Sequence, residues 1–229
     1  MAADWRGLSL PGWAVKRVDL WRFLDCCPMS MPEFGRALNR EMEGGRREAG
    51  GGPQVLLGYS MGARLGLHAL LEGSTWDAAV LVAPHPGLEA EEERASRRAG
   101  DAEWGSLALS GDWRDFLEKW ESQGVLKSTG SMAERTGLVG RRREVARSFL
   151  DWSLGAQEPL WGRLTGIECP VLWCAGEGDP KFRALAERAV QRLPQGELWV
   201  APAAGHRVPW DTPAAFVAKL GEFLERVAG

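Results

Sequence analysis

The stretch Gln54-Val55-Leu56-Leu57-Gly58-Tyr59-Ser60-Met61-Gly62-Ala63-Arg64 decides the fold. A short apolar run leads into Gly-Tyr-Ser-Met-Gly, and leucines follow at helical spacing, which predicts a strand, a sharp turn and a helix. Such a turn strains the backbone of its serine and needs small residues two positions before and after it, here Gly58 and Gly62. The Ser60 hydroxyl is then exposed at the helix N-terminus, where the Met61 amide can form an oxyanion hole.

Two later segments supply an acid and a histidine in the order that such a serine needs. Residues 170–175 predict a buried strand that Asp179 follows, and residues 197–201 predict another strand that His206 follows. Of the three histidines, only His206 lies after both Ser60 and Asp179. We therefore predict a catalytic triad in which the imidazole takes the serine proton and the carboxylate orients the imidazole.

Each triad residue also has a simpler structural interpretation. Asp179 precedes Pro180, so it can be only the N-cap of a helix. His206 can be a loop histidine that bonds to the backbone, and Ser60 can merely cap its own helix. The occurrence of all three in this order and setting favours the triad.

Composition favours one globular domain. The chain has 229 residues, of which 45% are hydrophobic and 26% charged, enough for one core with a small inserted cap. A net charge of -3 gives no reason to expect nucleic acid or an anionic membrane as partner. The sequence shows no apolar run of the roughly 20 residues that span a bilayer, and its first residues do not resemble a signal peptide. We expect a cytoplasmic protein with a small-molecule substrate, and the oligomeric state stays open.

The cysteines do not predict a metal site. Cys26 and Cys27 are adjacent, whereas Cys169 and Cys174 flank a strand. This spacing gives neither a Cys-x-x-Cys knuckle nor a zinc set with histidine. We therefore expect free thiols, no metal and no cofactor.

Strands that alternate with helices predict an α/β fold with a mostly parallel sheet. A helical, charge-rich stretch between residues 84 and 165 has the size of a lid over the Ser60 site. We assign residues 1–86 and 166–229 to the core and residues 87–165 to a helical cap. The further predicted strands are residues 13–20 and 77–83, and the predicted helices are residues 31–47, 89–98, 112–123, 132–152, 180–193 and 212–227.

The elbow, the acid and the histidine together resemble the α/β-hydrolase superfamily. Four runs are similar to one branch of it, the 2-succinyl-6-hydroxy-2,4-cyclohexadiene-1-carboxylate synthases of menaquinone biosynthesis. These runs are residues 58–64, His85-Pro86-Gly87-Leu88, residues 176–185 and Ala204-Gly205-His206. The resemblance covers most of the chain from Val15 onward.

The resemblance implies a lyase rather than a hydrolase. In that family the triad abstracts a proton from a succinyl-bearing cyclohexene carboxylate, and pyruvate is then eliminated without an acyl-enzyme. Because the substrate carries several carboxylates, arginines are expected to bind them bidentately. The resemblance assigns substrate binding to Tyr59, Arg64, Arg97, Trp120 and Arg141. Arg142 or Arg143 can take the place of Arg141, and each of these cap arginines can equally lie on a solvated helix face.

The chain departs from that family near its N-terminal end. Family members carry a strand ending in His-Gly before a loop that Asp4-Trp5 resembles here, and that loop supplies the second oxyanion amide. Loss of the central missing strand would leave unpaired backbone groups, each costing about 1–3 kcal/mol if buried. We therefore expect an α/β-hydrolase fold that lacks the usual first strands, either as a piece of a longer protein or with a rearranged sheet.

Two other functions remain open. A small carboxylester or thioester hydrolase uses the same triad. A catalytically impaired remnant that binds a small anion is the third hypothesis, because the loss of one oxyanion donor costs about 10²–10³ in turnover.

Overall fold

The computed structural model of the protein describes residues 2–48, 52–73, 75–124 and 135–228. Within these residues a parallel sheet contains β1 (Val55–Tyr59), β2 (Ala78–Val82), β3 (Val171–Gly176) and β4 (Gly196–Ala201). The strands are hydrogen-bonded in chain order, β1-β2-β3-β4. The register places Val55 opposite Ala78, Ala79 opposite Val171, and Val171 opposite Gly196. The predicted parallel α/β sheet is confirmed.

One long helix precedes β1, and further helices connect or follow the strands. The helices are α1 (Met31–Glu48), α2 (Met61–Leu71), α3 (Glu91–Ser110), α4 (Trp113–Glu121), α5 (Arg142–Asp151), α6 (Pro180–Val190), α7 (Val208–Asp211) and α8 (Pro213–Ala228). Short 3-10 helices occupy Ala2–Trp5, Leu20–Leu24, Thr136–Arg141 and Leu164–Gly166. None of the described helices combines the length and the apolar character of a membrane span.

Two apolar clusters cover opposite faces of the sheet. Leu81 and Trp173 pack on one side with residues of α1, α2 and α6. Val80 and Leu172 pack on the other side with residues of α7 and α8. Because both faces are covered, β2 and β3 are buried at every position, which is typical of strands in a parallel sheet.

The helices between β2 and β3 have an apolar cluster of their own. Trp113 and Phe116 of α4 pack there against Ala108 of α3 and Val145 of α5. A separate cluster is what a helical cap requires, but the limits of the cap at residues 87 and 165 stay a prediction. The predicted helix over residues 132–152 begins partly outside the described residues, and its described part is a 3-10 turn followed by α5.

The prediction of a strand at residues 13–20 is wrong. Residues 13–19 have no regular secondary structure, and Leu20 begins a 3-10 helix. The reason is the lack of a strand to pair with, because the described sheet contains only β1 to β4 and residues 13–18 line a cavity together with β1. A short run rich in apolar residues predicts an extended chain, but a strand also needs a hydrogen-bonded neighbour.

β1 is consequently an edge of the described sheet, and it carries the elbow. The Ser60 N–H donates to the Val82 carbonyl at 2.8 Å, and the Gln54 carbonyl accepts from Asp77. Even-numbered residues of this segment therefore direct their backbone groups to β2, and odd-numbered residues such as Leu57 direct theirs away from it. This edge agrees with the expected absence of the usual first strands.

Candidate active site

Ser60 sits in a strained turn between β1 and α2. Its φ of 50° and ψ of −112° lie in a region that residues with a side chain rarely adopt. The strand and the helix approach closely at Gly58, where an added Cβ would lie 2.7 Å from the Cα of Ala63. A Cβ added at Gly62 would meet nothing within 4 Å, so the prediction that close packing requires Gly62 is wrong.

Ser60, His206 and Asp179 are in hydrogen-bond contact. The His206 Nε2 lies 3.1 Å from the Ser60 Oγ, and the Nδ1 lies 2.8 Å from the Asp179 Oδ2. The carboxylate accepts from Nδ1–H, which leaves the Nε2 lone pair facing the serine hydroxyl. This geometry suits transfer of the serine proton to the imidazole.

Asp179 also caps α6. Its Oδ1 accepts a hydrogen bond from the Phe182 N–H at 3.3 Å, and Pro180 occupies the start of the helix. One carboxylate oxygen thus caps the helix while the other contacts His206. Asp179 is therefore both the N-cap of the helix and the hydrogen-bond partner of His206.

The loop that carries His206 rests on the end of β3. The Gly178 N–H donates to the Ala204 carbonyl at 2.9 Å, and the Gly205 N–H donates to Asp211 at 2.9 Å. A Cβ added at Gly176 would lie 2.0 Å from the Gly205 carbonyl oxygen, so only glycine permits this approach. The loop is therefore positioned by its own backbone groups, which bond to the backbone after β3 and to the Asp211 carboxylate.

Two aromatic rings flank the His206 imidazole. The Phe182 ring centre lies 4.4 Å from it and the Tyr59 ring centre 5.5 Å. The Tyr59 ring also packs against Trp210 at 4.9 Å. Burial raises the pKa of Tyr59, and its hydroxyl has no hydrogen-bond partner among the described residues. Tyr59 is therefore neutral and restricts the position of the imidazole.

A cavity of about 1070 Å³ opens at the triad. It is lined by the triad and by four of the predicted substrate-binding residues, Tyr59, Arg64, Arg97 and Trp120. The fifth, Arg141, does not line it. The Arg141 guanidinium pairs with Asp19 at 3.0 Å and is 43% exposed, so the structure does not support its assignment to the pocket. Arg142 is held elsewhere, by the Ala108 and Gly111 carbonyls.

Arg64 is buried beside the cavity and held by protein acceptors. Its Nη2 donates to the Trp152 carbonyl at 2.7 Å and its Nη1 to the Gln157 Oε1 at 3.1 Å. Burial is the main cause that lowers the pKa of Arg64 to about 10, and the nearby Arg97 charge adds to it. Arg64 remains charged at neutral pH and is fixed in position.

Arg97 and Trp120 reach the cavity from the cap helices. The Arg97 Nε donates to Asp101 at 2.9 Å, and the Ser153 hydroxyl donates to the same carboxylate oxygen at 2.7 Å. The Trp120 ring lies 5.3 Å from Trp104, so it packs within the cap and also lines the cavity. Trp120 therefore both packs against a neighbouring helix and lines the cavity.

A profile of the alpha/beta hydrolase family matches residues 2–219. The chain belongs to the α/β-hydrolase family. The predicted fold and the predicted family resemblance are both confirmed, and this is a family of enzymes.

Similar proteins include 2-succinyl-6-hydroxy-2,4-cyclohexadiene-1-carboxylate synthases. The Escherichia coli O9:H4 (strain HS) protein of that name is 30% identical over 174 residues, which are 74% of this chain and 67% of that protein. The Klebsiella pneumoniae synthase is 27% identical and covers 96% of this chain and 88% of its own. In the first bacterial matches the chain spans about two thirds of the relative's length, 66% or 67%. The structure of MenH from S. aureus has a TM-score of 0.79 at 22% identity, covering 97% of this α/β-hydrolase and 83% of that chain.

Among the cavity residues of this α/β-hydrolase that sequence reasoning did not assign to the site are His85, Arg135, Lys181 and Phe182. Arg135, and not Arg141, is the arginine that the segment before α5 brings to the cavity. His85 had a usable signal, because it follows β2 as Asp179 follows β3. The ends of neighbouring parallel strands meet at one edge of the sheet, so residues just after them converge.

Proposed function

We propose that this α/β-hydrolase is a lyase of menaquinone biosynthesis that eliminates pyruvate from a succinyl-enolpyruvyl cyclohexene carboxylate. The observation that carries the proposal is the contact of His206 with both Ser60 and Asp179, at 3.1 and 2.8 Å, at the wall of an arginine-lined cavity. The names of the bacterial relatives support the choice of reaction.

Proton abstraction begins at Ser60. The His206 Nε2 removes the hydroxyl proton, and Asp179 stabilises the imidazolium. The serine oxygen then takes a ring proton next to the succinyl carbonyl. The carbon–hydrogen electron pair forms a new ring double bond as the carbon–oxygen bond to the enolpyruvyl group breaks. The leaving enolate takes the proton held by the His206 imidazolium and becomes pyruvate, which returns His206 to its neutral form.

Negative charge that develops on the succinyl carbonyl oxygen needs a hydrogen-bond donor. The Met61 N–H belongs to the first turn of α2, where helix N–H groups have no intrahelical acceptor. The helix N-terminus also favours negative charge. Met61 is therefore our proposed oxyanion donor.

Cationic and aromatic residues hold the substrate. Arg64 anchors one of its carboxylates from the core, and Arg97 anchors another from the cap. Tyr59 and Trp120 form an apolar wall around the substrate ring. Arg64 is already fixed by two protein acceptors, so it loses little conformational freedom on binding. Such preorganisation places the reacting carbon next to Ser60.

Pyruvate release from the enolpyruvyl substrate tests the proposal. We expect Ser60→Ala to lower the rate to background, because the proton acceptor is lost. Ser110→Ala is the matched control, since the Ser110 hydroxyl is exposed on α3 and, among the described residues, donates to the Ser106 carbonyl alone. Release of pyruvate at an unchanged rate by the folded Ser60→Ala variant would contradict the proposal, as would no release by the unsubstituted protein.

A second candidate is a small ester or thioester hydrolase. The strained Ser60 backbone favours it, because this elbow geometry also suits attack on an acyl carbonyl. This function predicts covalent labelling of Ser60 by a fluorophosphonate and burst release of nitrophenol from a nitrophenyl ester. A protein that binds a succinylbenzoate without either reaction would instead be the impaired remnant.

A further inference from the structure

His85 presents one fixed tautomer. The Gly87 N–H donates to the His85 Nδ1 at 3.0 Å, so this nitrogen carries the lone pair and the proton of the neutral ring lies on Nε2. Burial is the main cause that lowers the pKa of His85 to about 4, with the charges of Lys181, Arg64 and Arg97 adding to it. His85 is therefore a neutral donor through Nε2 at physiological pH.

The donor atom of His85 faces the cavity. The residue is 7% exposed, and it lines the same cavity as Ser60. Its Nε2 makes no hydrogen bond to a described residue and is not sealed by protein atoms. The Nε2–H of a residue that lines the cavity is thus left without a protein acceptor, so it can donate to a ligand there.

The loop that carries His85 is held rigidly. The Gln157 side chain donates to the His85 carbonyl at 3.0 Å, and the Trp161 Nε1 donates to the Gly87 carbonyl at 3.0 Å. Gly87 has a φ of 116°, and a Cβ there would lie 2.8 Å from Pro159. The N–H direction is set before any ligand arrives.

A cation without a carboxylate partner lies near this donor. Lys181 lines the cavity at its exposed rim, and no described carboxylate forms an ion pair with it. The neighbouring Phe182 ring lies 6.3 Å from the His85 ring, edge to face. Glu89 is the acid whose charge acts on the pKa of His85, and its carboxylate accepts from both Nη atoms of Arg188 at 2.5 and 2.7 Å. Lys181 is therefore a cation on this side of the cavity that makes no direct ion pair with a described carboxylate.

We propose that His85 and Lys181 form a carboxylate-binding subsite beside Phe182, separate from the Arg64 and Arg97 anchors. Lys181 supplies a positive charge that attracts the carboxylate. The neutral His85 N–H donates a hydrogen bond that orients the carboxylate without adding a second charge. The subsite takes one carboxylate of the substrate, so its biological role rests on the proposed function. Three cationic anchors and one neutral donor fit a substrate with several carboxylates.

Calorimetric binding of 2-succinylbenzoate and of its dimethyl ester tests the subsite. We expect Lys181→Met and His85→Leu each to weaken binding of the acid by about tenfold, because a hydrogen bond to a charged group is lost. His85→Gln keeps an N–H at similar reach and should stay within about threefold of the unsubstituted protein. None of these variants should change the binding of the ester.

Lys119→Met is the control, since Lys119 is exposed on α4 away from the cavity wall. The proposal is overturned if both loss variants bind the acid normally, if the ester is weakened equally, or if the unsubstituted protein does not bind the acid. The pyruvate assay separates the two proposals. If the unsubstituted protein releases pyruvate but the variants bind the acid normally, only the subsite proposal is refuted. If the variants bind the acid more weakly but the unsubstituted protein releases no pyruvate, only the proposed reaction is refuted. In turnover, Lys181→Met should raise KM and leave kcat nearly unchanged.

Discussion

Gly176 decides how close the histidine loop can come to the serine. A Cβ at this position would lie 2.0 Å from the Gly205 carbonyl oxygen, against the backbone that precedes His206. We expect Gly176→Ala to lower the free energy of unfolding by roughly 1–3 kcal/mol and to reduce activity by moving His206 from Ser60. Urea unfolding together with pyruvate release measures both effects.

Gly221 provides the matched control for that substitution. It lies inside α8, and a Cβ there would meet nothing within 4 Å. Gly221→Ala should therefore stabilise the protein by about 0.5–1 kcal/mol, because alanine favours the helix. A Gly176→Ala protein as stable and active as the Gly221→Ala protein would refute the role of Gly176.

His68 should make the protein sensitive to mild acid. It is 2% exposed inside α2, and neither ring nitrogen has a hydrogen-bond partner among the described residues. Burial is the main cause that lowers its pKa from 6.5 to about 4. Between these values the unfolded chain binds more protons than the folded one, so stability falls as the pH falls.

The expected size of this effect is about 2 kcal/mol for His68 between pH 7.5 and pH 5. Urea unfolding of the unsubstituted protein and of His68→Leu at both pH values measures it. The variant should lose less stability on acidification, with the remainder due in part to His85. Equal losses in the two proteins would show that His68 is not buried as a neutral group.

At the scale of elements, Asp179, the N-cap of α6, combines two functions that substitutions can separate. Asparagine can still cap the helix at position 179, but it cannot stabilise the His206 imidazolium. We expect Asp179→Asn to leave stability nearly unchanged and to lower activity strongly, by analogy with serine proteases, where the change costs on the order of 10⁴. Asp179→Ala should lose the same activity and, in addition, about 1 kcal/mol of stability.

Thermal unfolding and steady-state kinetics of the two Asp179 variants give the comparison. A substantially active Asp179→Asn protein would leave the side chain as a helix cap alone. Strong destabilisation by asparagine would show instead that the charge holds the loop of His206 together.

The free edge of β1 has its own signature. The Leu57 backbone groups point away from β2, and no described residue pairs with them, whereas the Leu56 and Gly58 groups face β2. We expect the Leu57 amide proton to exchange with solvent at least tenfold faster than those of Leu56 and Gly58. Amide exchange followed by NMR measures this ratio. Equal protection of the three amides would mean that another segment pairs with the edge.

The strands that are buried on both faces could be predicted from the sequence. Features that depend on contacts with other segments, such as strand pairing, could not. β2 and β3 are apolar at every position, so their composition identifies them. Residues 13–20 mix apolar residues with Lys16, Arg17 and Asp19, and no described strand lies beside them. The triad was predictable because Asp179 and His206 each follow a strand of a parallel sheet. Arg135 was not, because the 3-10 turn before α5 changes which arginine faces the cavity.

At the scale of the whole molecule, the cavity joins the core to the cap helices. Core residues such as Ser60 and cap residues such as Arg97 and Trp120 line the same space. Arg188 of α6 pairs with Glu89 near the end of the segment between β2 and α3, and its guanidinium lies 3.8 Å from the Trp161 ring centre. These contacts link α6, which Asp179 caps, to the segment that leads into α3. The geometry of the site therefore depends on the core and on the helices between β2 and β3.

The most direct test of the central claim follows the reaction of the succinyl-enolpyruvyl cyclohexene carboxylate by NMR. The account predicts that pyruvate and the cyclohexadiene product appear in equal amounts, at a rate that Ser60→Ala and His206→Ala reduce to background. A rate that survives removal of either side chain, or products of ester hydrolysis in place of pyruvate, would contradict it.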